Sequence, residues 1–309
     1  MKKGLVIKST GSWYSIKDTE TGEIVSCNIR GKLRIQGIKS TNPVAVGDFV
    51  EYEMQENSDT GIIKDVLERK NYIIRKSTNL SKQTHILAAN LDQAILMVTL
   101  AFPETYTIFI DRFLITAEAY RIPAKLIFNK IDLYDENQRG YLKKLIDIYE
   151  SVGYECIATS VKENRNISKV TGLLKNNTSL IAGNSGVGKS SLINLVDPKL
   201  QLKTSEISDY HKSGKHTTTF AEMFELSIGG FVIDTPGIRG FGLHDIQDEE
   251  LFHFFPEIFK TSENCKYHNC THVHEPGCAV KVAIEEGTVS QLRYENYLNI
   301  LFDEETKHR

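Results

Sequence analysis

The chain has no apolar run approaching the roughly 20 residues that a membrane-spanning helix needs, so no membrane span is expected. Its first eight residues, Met1 to Lys8, hold too short an apolar stretch, too soon charged, for a signal peptide. Cysteine is scarce: five in 309 residues, three of them close to histidines. That usage argues against a disulfide framework and for a metal in a reducing compartment. Charge of one sign is also lacking. A net charge of −3 and a pI near 6.3 give no global nucleic-acid signature, so any RNA contact must come from local patches. Hydrophobic content of 40% and charged content of 25% are those of a globular protein, with room for two or three domains.

What is present centres on Gly183-Asn184-Ser185-Gly186-Val187-Gly188-Lys189-Ser190, which matches the phosphate-loop pattern GxxxxGK[ST] at every fixed position. The apolar stretch Thr178 to Ala182 before it reads as a buried strand, and Ser191 to Leu195 as the start of a helix. Glycines let the backbone wrap closely around phosphates with N–H groups turned inward. The helix N-terminus adds its dipole, Lys189 a cation for the β- and γ-phosphates, and Ser190 a hydroxyl for magnesium. A Gly-rich turn with a chance lysine would not need the flanking strand and helix.

Asn129-Lys130-Ile131-Asp132 follows the apolar run Ala124 to Phe128, which sets it at a strand end. A carboxylate there accepts from both N1–H and the exocyclic amine of guanine, whereas adenine would leave Asp132 unpaired. Ser160, after the strand Tyr154 to Ile157, is placed like the second base-contacting loop of GTPases. Asp234-Thr235-Pro236-Gly237 ends the strand Phe231 to Ile233 about forty residues past the phosphate loop. Asp234 suits the outer magnesium shell and the Gly237 N–H suits the γ-phosphate. Between the two motifs, Ser208 to Thr219 is polar, contains glycine and lacks periodicity, as a switch segment would. One of Thr217, Thr218 and Thr219 would ligate magnesium, and Thr218 is favoured.

The order is unusual. The guanine motif and the serine loop come before the phosphate loop rather than after it, so the domain is circularly permuted, a rearrangement tolerated where termini rejoin at the surface. The segment after Gly237 then runs straight into the C-terminal region, so a phosphate-dependent movement there would pull on that region. Ile238 stands where Ras-like GTPases carry a water-orienting glutamine. Slow hydrolysis by the chain alone, completed by a partner, is the expectation.

Around this domain, residues 1–70 read as five short strands (Gly4 to Ser9, Ser12 to Asp18, Glu23 to Arg30, Asp48 to Met54, Gly61 to Leu67), a small closed barrel of the OB type. Arg30 to Lys39 carries four cations and no acid, which makes it the RNA-facing loop or a merely solvated one. Residues 71–90 read as a linker. Residues 91–242 alternate strands and helices, as in a parallel sheet covered on both faces. Residues 243–309 read as helical, with a short helix from Asp248 stopped by Pro256 and helices near 279–286 and 290–304. There, Cys265, Cys270 and Cys278 with one imidazole fit a closed structural zinc site. His272, His268 and His274 all compete for the fourth position.

Together the permuted order, Gly183 to Ser191, Lys215-His216-Thr217-Thr218-Thr219, Asp234 to Gly242 and the Cys/His spacing resemble one family, the bacterial small ribosomal subunit biogenesis GTPases called RsgA, YjeQ or YloQ. The resemblance covers essentially the whole chain. It implies a cytoplasmic, monomeric GTPase with an N-terminal OB barrel and a C-terminal zinc domain. Such a protein binds the small subunit and its 16S rRNA late in maturation and is stimulated by that subunit to turn GTP into GDP. Carried over by motif, Asn129, Lys130, Ile131 and Asp132 would hold guanine. Gly183, Asn184, Ser185, Gly186, Val187, Gly188, Lys189, Ser190 and Ser191 would hold the phosphates. Lys189, Thr218, Asp234 and Gly237 would serve the reaction, with magnesium on Ser190 and Thr218. The resemblance also selects His272 as the zinc ligand beside Cys265, Cys270 and Cys278.

Three other readings have discriminating features. An ATP-dependent kinase or transport ATPase has no use for Asp132. A zinc-containing RNA-binding module with a vestigial nucleotide site does not need Lys189, Ser190 and Asp234 intact. A Ras-like signalling GTPase does not need two flanking domains.

Overall fold

The computed structural model describes residues 1–29, 43–76, 84–202, 221–234 and 246–302. The cationic stretch from Arg30, the switch threonines, and Thr235 to Gly237 with Ile238 lie outside the described residues.

The N-terminal strands are β1 (Lys2–Ser9), β2 (Trp13–Asp18), β3 (Ile24–Ile29), β4 (Phe49–Met54) and β5 (Thr60–Val66). Alternation builds their core: Tyr14 and Ile16 of β2 and Val50 and Tyr52 of β4 are buried, while their neighbours face outward. The β2–β3 turn is held by Asp18, whose carboxylate accepts from the Glu20 and Thr21 amides at 2.9 Å. Pairing runs β1–β2–β3–β5–β4 and closes from β4 back to β1, with β3 and β5 parallel. This is a closed five-stranded barrel of OB type, and closure leaves it no free sheet edge.

Residues 71–90, expected as a linker, are not one. β6 (Tyr72–Lys76) and β7 (Thr84–Ala89) form an antiparallel two-stranded sheet. Ile73, Ala88 and Ala89 are buried, and the Ala89 amide donates to the Val46 carbonyl at 2.9 Å. The scattered cations hid a short apolar stripe, and a two-stranded ribbon needs a neighbouring surface before it is stable. That surface is supplied by the barrel and the central sheet, since Leu5, Ile73, Ala88 and Leu96 belong to one core.

The central sheet orders β10 (Glu155–Ala158), β9 (Ala124–Phe128), β8 (Gln93–Val98), β11 (Thr178–Ala182), β13 (Phe231–Asp234) and β12 (Glu222–Glu225). The first five are parallel. β12 departs from the expected parallel pattern: it is antiparallel to β13, the return arm of a hairpin. Along β8 the residues are buried on both faces. Ala94, Leu96 and Val98 face the core shared with α1 (Thr107–Ala119) and α2 (Glu136–Ser151). Ile95 and Met97 face α3 (Ile167–Leu174) and α4 (Lys189–Val196). β12 also joins the barrel, since Lys8 of β1 is in register with Glu222 and their side chains pair at 2.9 Å.

C-terminally, a 3-10 turn spans Asp248–Phe254, followed by α5 (Pro256–Ser262), α6 (Ala279–Glu285) and α7 (Gln291–Phe302). Pro256 therefore starts a helix rather than only ending one. At the first helical position the missing N–H would have had no helical partner anyway. The helices seat on α1 through a buried polar seam. Arg293 of α7, 1% exposed, pairs with Asp111 of α1 and Glu257 of α5. Its guanidinium lies 5.0–5.7 Å from the ring centres of Phe255, Tyr149 and Tyr154. Asn296 completes the seam by donating to Asp111 at 2.6 Å.

Candidate functional site: a phosphate loop bolted to two base loops

Both expected nucleotide motifs leave the C-terminal edge of the sheet, where parallel α/β folds place their ligands. The phosphate loop runs from the end of β11 into α4. Gly183, Gly186 and Gly188 take φ of +144°, +83° and +103°. A Cβ on Gly183 would stand 2.3 Å from the Met97 carbonyl oxygen, and one on Gly188 would stand 2.7 Å from Asn129 Nδ2. Neither position admits a side chain. Val187 is fully buried and Ser190 is 4% exposed in the first turn of α4. Lys189 Nζ donates to the Gly183 and Asn184 carbonyls at 2.7 and 3.0 Å, so the ammonium lies over the loop.

Asn129 joins three loops. Its Nδ2 donates to the Val187 carbonyl of the phosphate loop at 2.8 Å. Its Oδ1 accepts from the Thr159 hydroxyl at 3.1 Å and the Val161 amide at 3.3 Å. Lys130 takes the left-handed conformation, φ +63°, and Ile131 to Leu133 form a single 3-10 turn. Ser160 is buried; its hydroxyl donates to Asp132 Oδ1 at 2.6 Å and accepts from the Glu163 amide at 3.0 Å. A carboxylate fixed in this way presents a rigid acceptor to a base edge, and preorganisation of that kind reduces the ordering cost of binding.

Tyr134 is a supporting residue that no motif marked. Its hydroxyl donates to the Asn129 carbonyl at 2.7 Å and accepts from the Leu100 amide at 2.8 Å. Thr159 is the other. The backbone of Asp234 lies in register with Ile181 beside the start of the phosphate loop, which brings the third motif to the same edge. Ser191 continues α4, while Thr218 and Gly237 lie outside the described residues.

The cysteine cluster is a second centre. The ligand atoms of Cys265, Cys270, His272 and Cys278 all lie within 4.8 Å of one another. His272 Nδ1 is 3.7 Å from Cys265 Sγ and 3.5 Å from Cys278 Sγ. A tetrahedral zinc with bonds of about 2.0–2.3 Å has ligand–ligand edges of roughly 3.5–3.8 Å, so the donor set and its spacing fit such an ion. His272 is fully buried, takes φ +62°, and packs edge-on against Phe252 with ring centres 4.8 Å apart. Burial lowers its pKa, against a pull upward from Glu275, which favours the neutral ring that a metal requires. Glu275 shapes the loop by accepting from the Thr271, Val273 and His274 amides. Although burial raises its pKa, these hydrogen bonds and the Thr271 hydroxyl hold it down at about 2. The Tyr294 hydroxyl donates to the His272 carbonyl at 2.7 Å, tying the loop to α7.

A phosphate loop, a guanine-type loop and a serine loop on one sheet edge, with the base loops first in the chain, define a circularly permuted GTPase domain between an OB barrel and a helical metal-site region. Comparison with known proteins agrees. The RsgA GTPase model matches residues 66–244 and the RsgA N-terminal domain model residues 3–63. Two relatives are 56% identical over 308 residues, with 99% of each chain covered. These are small ribosomal subunit biogenesis GTPase RsgA 2 of Bacteroides thetaiotaomicron and small ribosomal subunit biogenesis GTPase RsgA of Phocaeicola vulgatus. Among solved structures, YjeQ from Thermotoga maritima is 38% identical with a TM-score of 0.80, covering 98% of both chains. YloQ, a circularly permuted GTPase, is 30% identical with a TM-score of 0.75, covering 97% of this chain and 94% of its own. The chain belongs to the RsgA GTPase family.

Proposed function

We propose that this GTPase binds the small ribosomal subunit through its 16S rRNA and assists the late maturation of that subunit, as a cytoplasmic monomer. The observation that carries the reading is the whole-length match to relatives named for small-subunit biogenesis, which takes in the flanking domains as well as the nucleotide site. In this reading the barrel is residues 1–70, the GTPase domain 91–242 and the zinc domain 243–309, with the β6–β7 hairpin wedged between the first two.

Guanine is held by Asn129 to Asp132, with Asp132 accepting from the base and Ser160 orienting the carboxylate. The backbone of Gly183 to Ser191 and the Lys189 ammonium take the phosphates. Ser190 and Thr218 would hold magnesium directly and Asp234 would act on it through water; the ion would supply charge neutralisation for phosphoryl transfer. The Gly237 N–H meets the γ-phosphate. Cys265, Cys270, His272 and Cys278 would hold a zinc ion with all four positions taken by the protein, and it would act as a structural staple. Because Ile238 cannot orient water, hydrolysis by the isolated protein is slow, and the subunit orders the switches or supplies the missing group. Such completion is worth about 10³–10⁵ in rate in other GTPases.

Steady-state GTP hydrolysis with purified small subunits, and with large subunits as control, tests this. Stimulation by the small subunit alone supports the reading. Fast turnover by the isolated chain, equal to the stimulated rate, overturns the role given to Ile238, and no stimulation by the small subunit overturns the role given to the partner.

A further inference from the structure

Outside the nucleotide site lies a cavity of about 570 Å³ at the junction of the β8–α1 loop, α2 and α7. Two tyrosines stand on it: Tyr106, 66% exposed just before α1, and Tyr141, 44% exposed on α2. The rest of its lining is mostly uncharged and polar. Asn137 and Gln138 come from the start of α2, Asn299 from α7, and among the described lining residues Glu104 is the single ionisable group other than the tyrosines. Asn137, Tyr141 and Lys144 follow one another at i, i+4 and i+7, so they share one face of α2, and Lys144 is exposed.

The chemistry of this lining is that of a base reader. Aromatic rings give a stacking face to any nucleobase, and carboxamides offer a donor and an acceptor to its Watson–Crick edge. Glu104 would accept from an exocyclic amine. Among the described residues the cavity lining holds no cation, so it suits the neutral base rather than the phosphate, which falls to the exposed Lys144 on the same face of α2. A protein side chain with the same fit, such as an arginine, would have one acid to pair with and would leave the carboxamides of the lining unused.

The geometry points to a pocket for one splayed-out base of single-stranded RNA, held between Tyr106 and Tyr141 at the seam of the GTPase and zinc-site regions. This deepens, and rests on, the small-subunit reading above by naming a surface through which the rRNA is gripped. Three packed elements from two domains line the pocket, so an inserted base would also bridge them.

The test uses the full-length chain and purified small subunits. Affinity is measured by sedimentation for the parent protein and for Tyr106→Ala, Tyr141→Ala, Tyr106→Phe and Tyr141→Phe. Loss of one stacked base by alanine substitution is expected to weaken binding on the order of 5- to 150-fold. Phenylalanine, which keeps the ring and drops the hydroxyl, restores affinity to within about threefold of the parent on this stacking account. Ultraviolet cross-linking of the complex should join an rRNA nucleotide to a peptide containing Tyr106 or Tyr141. An unchanged melting temperature shows that the variants fold. Alanine variants that bind like the parent, a loss that phenylalanine does not restore, or cross-links from this pocket only to ribosomal protein each overturn the proposal. If the parent chain does not bind small subunits at all, the functional reading itself fails, and that outcome is separable from the rest.

Discussion

Replacing Arg293 by methionine should loosen the zinc-site helices from the GTPase domain. The guanidinium is 1% exposed and neutralises two carboxylates, Asp111 at 0% and Glu257 at 8% side-chain exposure. Methionine roughly fills the space and keeps contact with Phe255, Tyr149 and Tyr154, so little of the loss comes from a cavity. The cost is the stranded charge, about 3–5 kcal/mol for one partner removed from a buried pair. Even with the arginine present, burial pushes Asp111 up to about 6, against the pull of Arg293 and Asn296. A carboxylic acid raised in the folded state binds more protons folded than unfolded. Its contribution therefore favours folding at low pH and is lost as pH rises from the unfolded value of 3.8 through 6.

Without Arg293 that window moves upward across neutrality. Between pH 7.5 and 5.5 the variant should regain up to about 2.7 kcal/mol, at 1.36 kcal/mol per unit, while the parent regains about 0.8 kcal/mol. The deficit should therefore shrink by about 2 kcal/mol. Urea unfolding of both proteins at the two pH values measures it, and the difference between them cancels the protonation of zinc ligands common to both. Adding Asp111→Asn should restore part of the stability at pH 7.5. A deficit below about 1 kcal/mol, or one that does not shrink on acidification, would refute the buried-charge account.

Gly183→Ala should abolish nucleotide binding, because its Cβ would meet the Met97 carbonyl at 2.3 Å at a left-handed φ; fluorescence titration with a labelled guanine nucleotide reads this. Ser160→Ala frees Asp132 and strands the Glu163 amide, and a hydrogen bond to a charged group is worth about 1.5–3 kcal/mol. GDP affinity should accordingly fall roughly 10- to 150-fold, with calorimetry as the readout. Cys278→Ser should reduce bound metal below one zinc per chain and destabilise α5 to α7, visible as faster hydrogen exchange there, while the barrel amides keep their protection. Lys189→Ala should abolish GTP hydrolysis, assayed by phosphate release; unchanged turnover would favour a vestigial site.

The central domain was legible because its signals are local. A parallel strand buried on both faces must be continuously apolar, as Gln93–Val98 is after its first residue, and a phosphate loop needs glycine where φ is positive. The Cys/His cluster was legible for a similar reason, since three cysteines within fourteen residues are rarely spaced so by accident. His272 over its two neighbours was another matter. Spacing left three imidazoles open; the family resemblance selected His272, and the fold turns that ring inward, against Phe252 and onto the sulfurs.

Other features lay beyond any local pattern. The strands Tyr72–Lys76 and Thr84–Ala89 read as a linker because their short apolar runs are interrupted and flanked by cations and polar residues, and those runs matter only once the barrel and the sheet lie beside them. Tyr134 and Asn129 join loops that are far apart in sequence, and Arg293 meets Asp111 across 182 positions. Residue types and their spacing determined which chemistry this chain carries: a phosphate loop, a guanine loop and a thiolate cluster. Tertiary structure alone decided which distant side chains hold those loops in one place, because a hydrogen bond or a buried ion pair depends on proximity in space, which no spacing along the chain encodes.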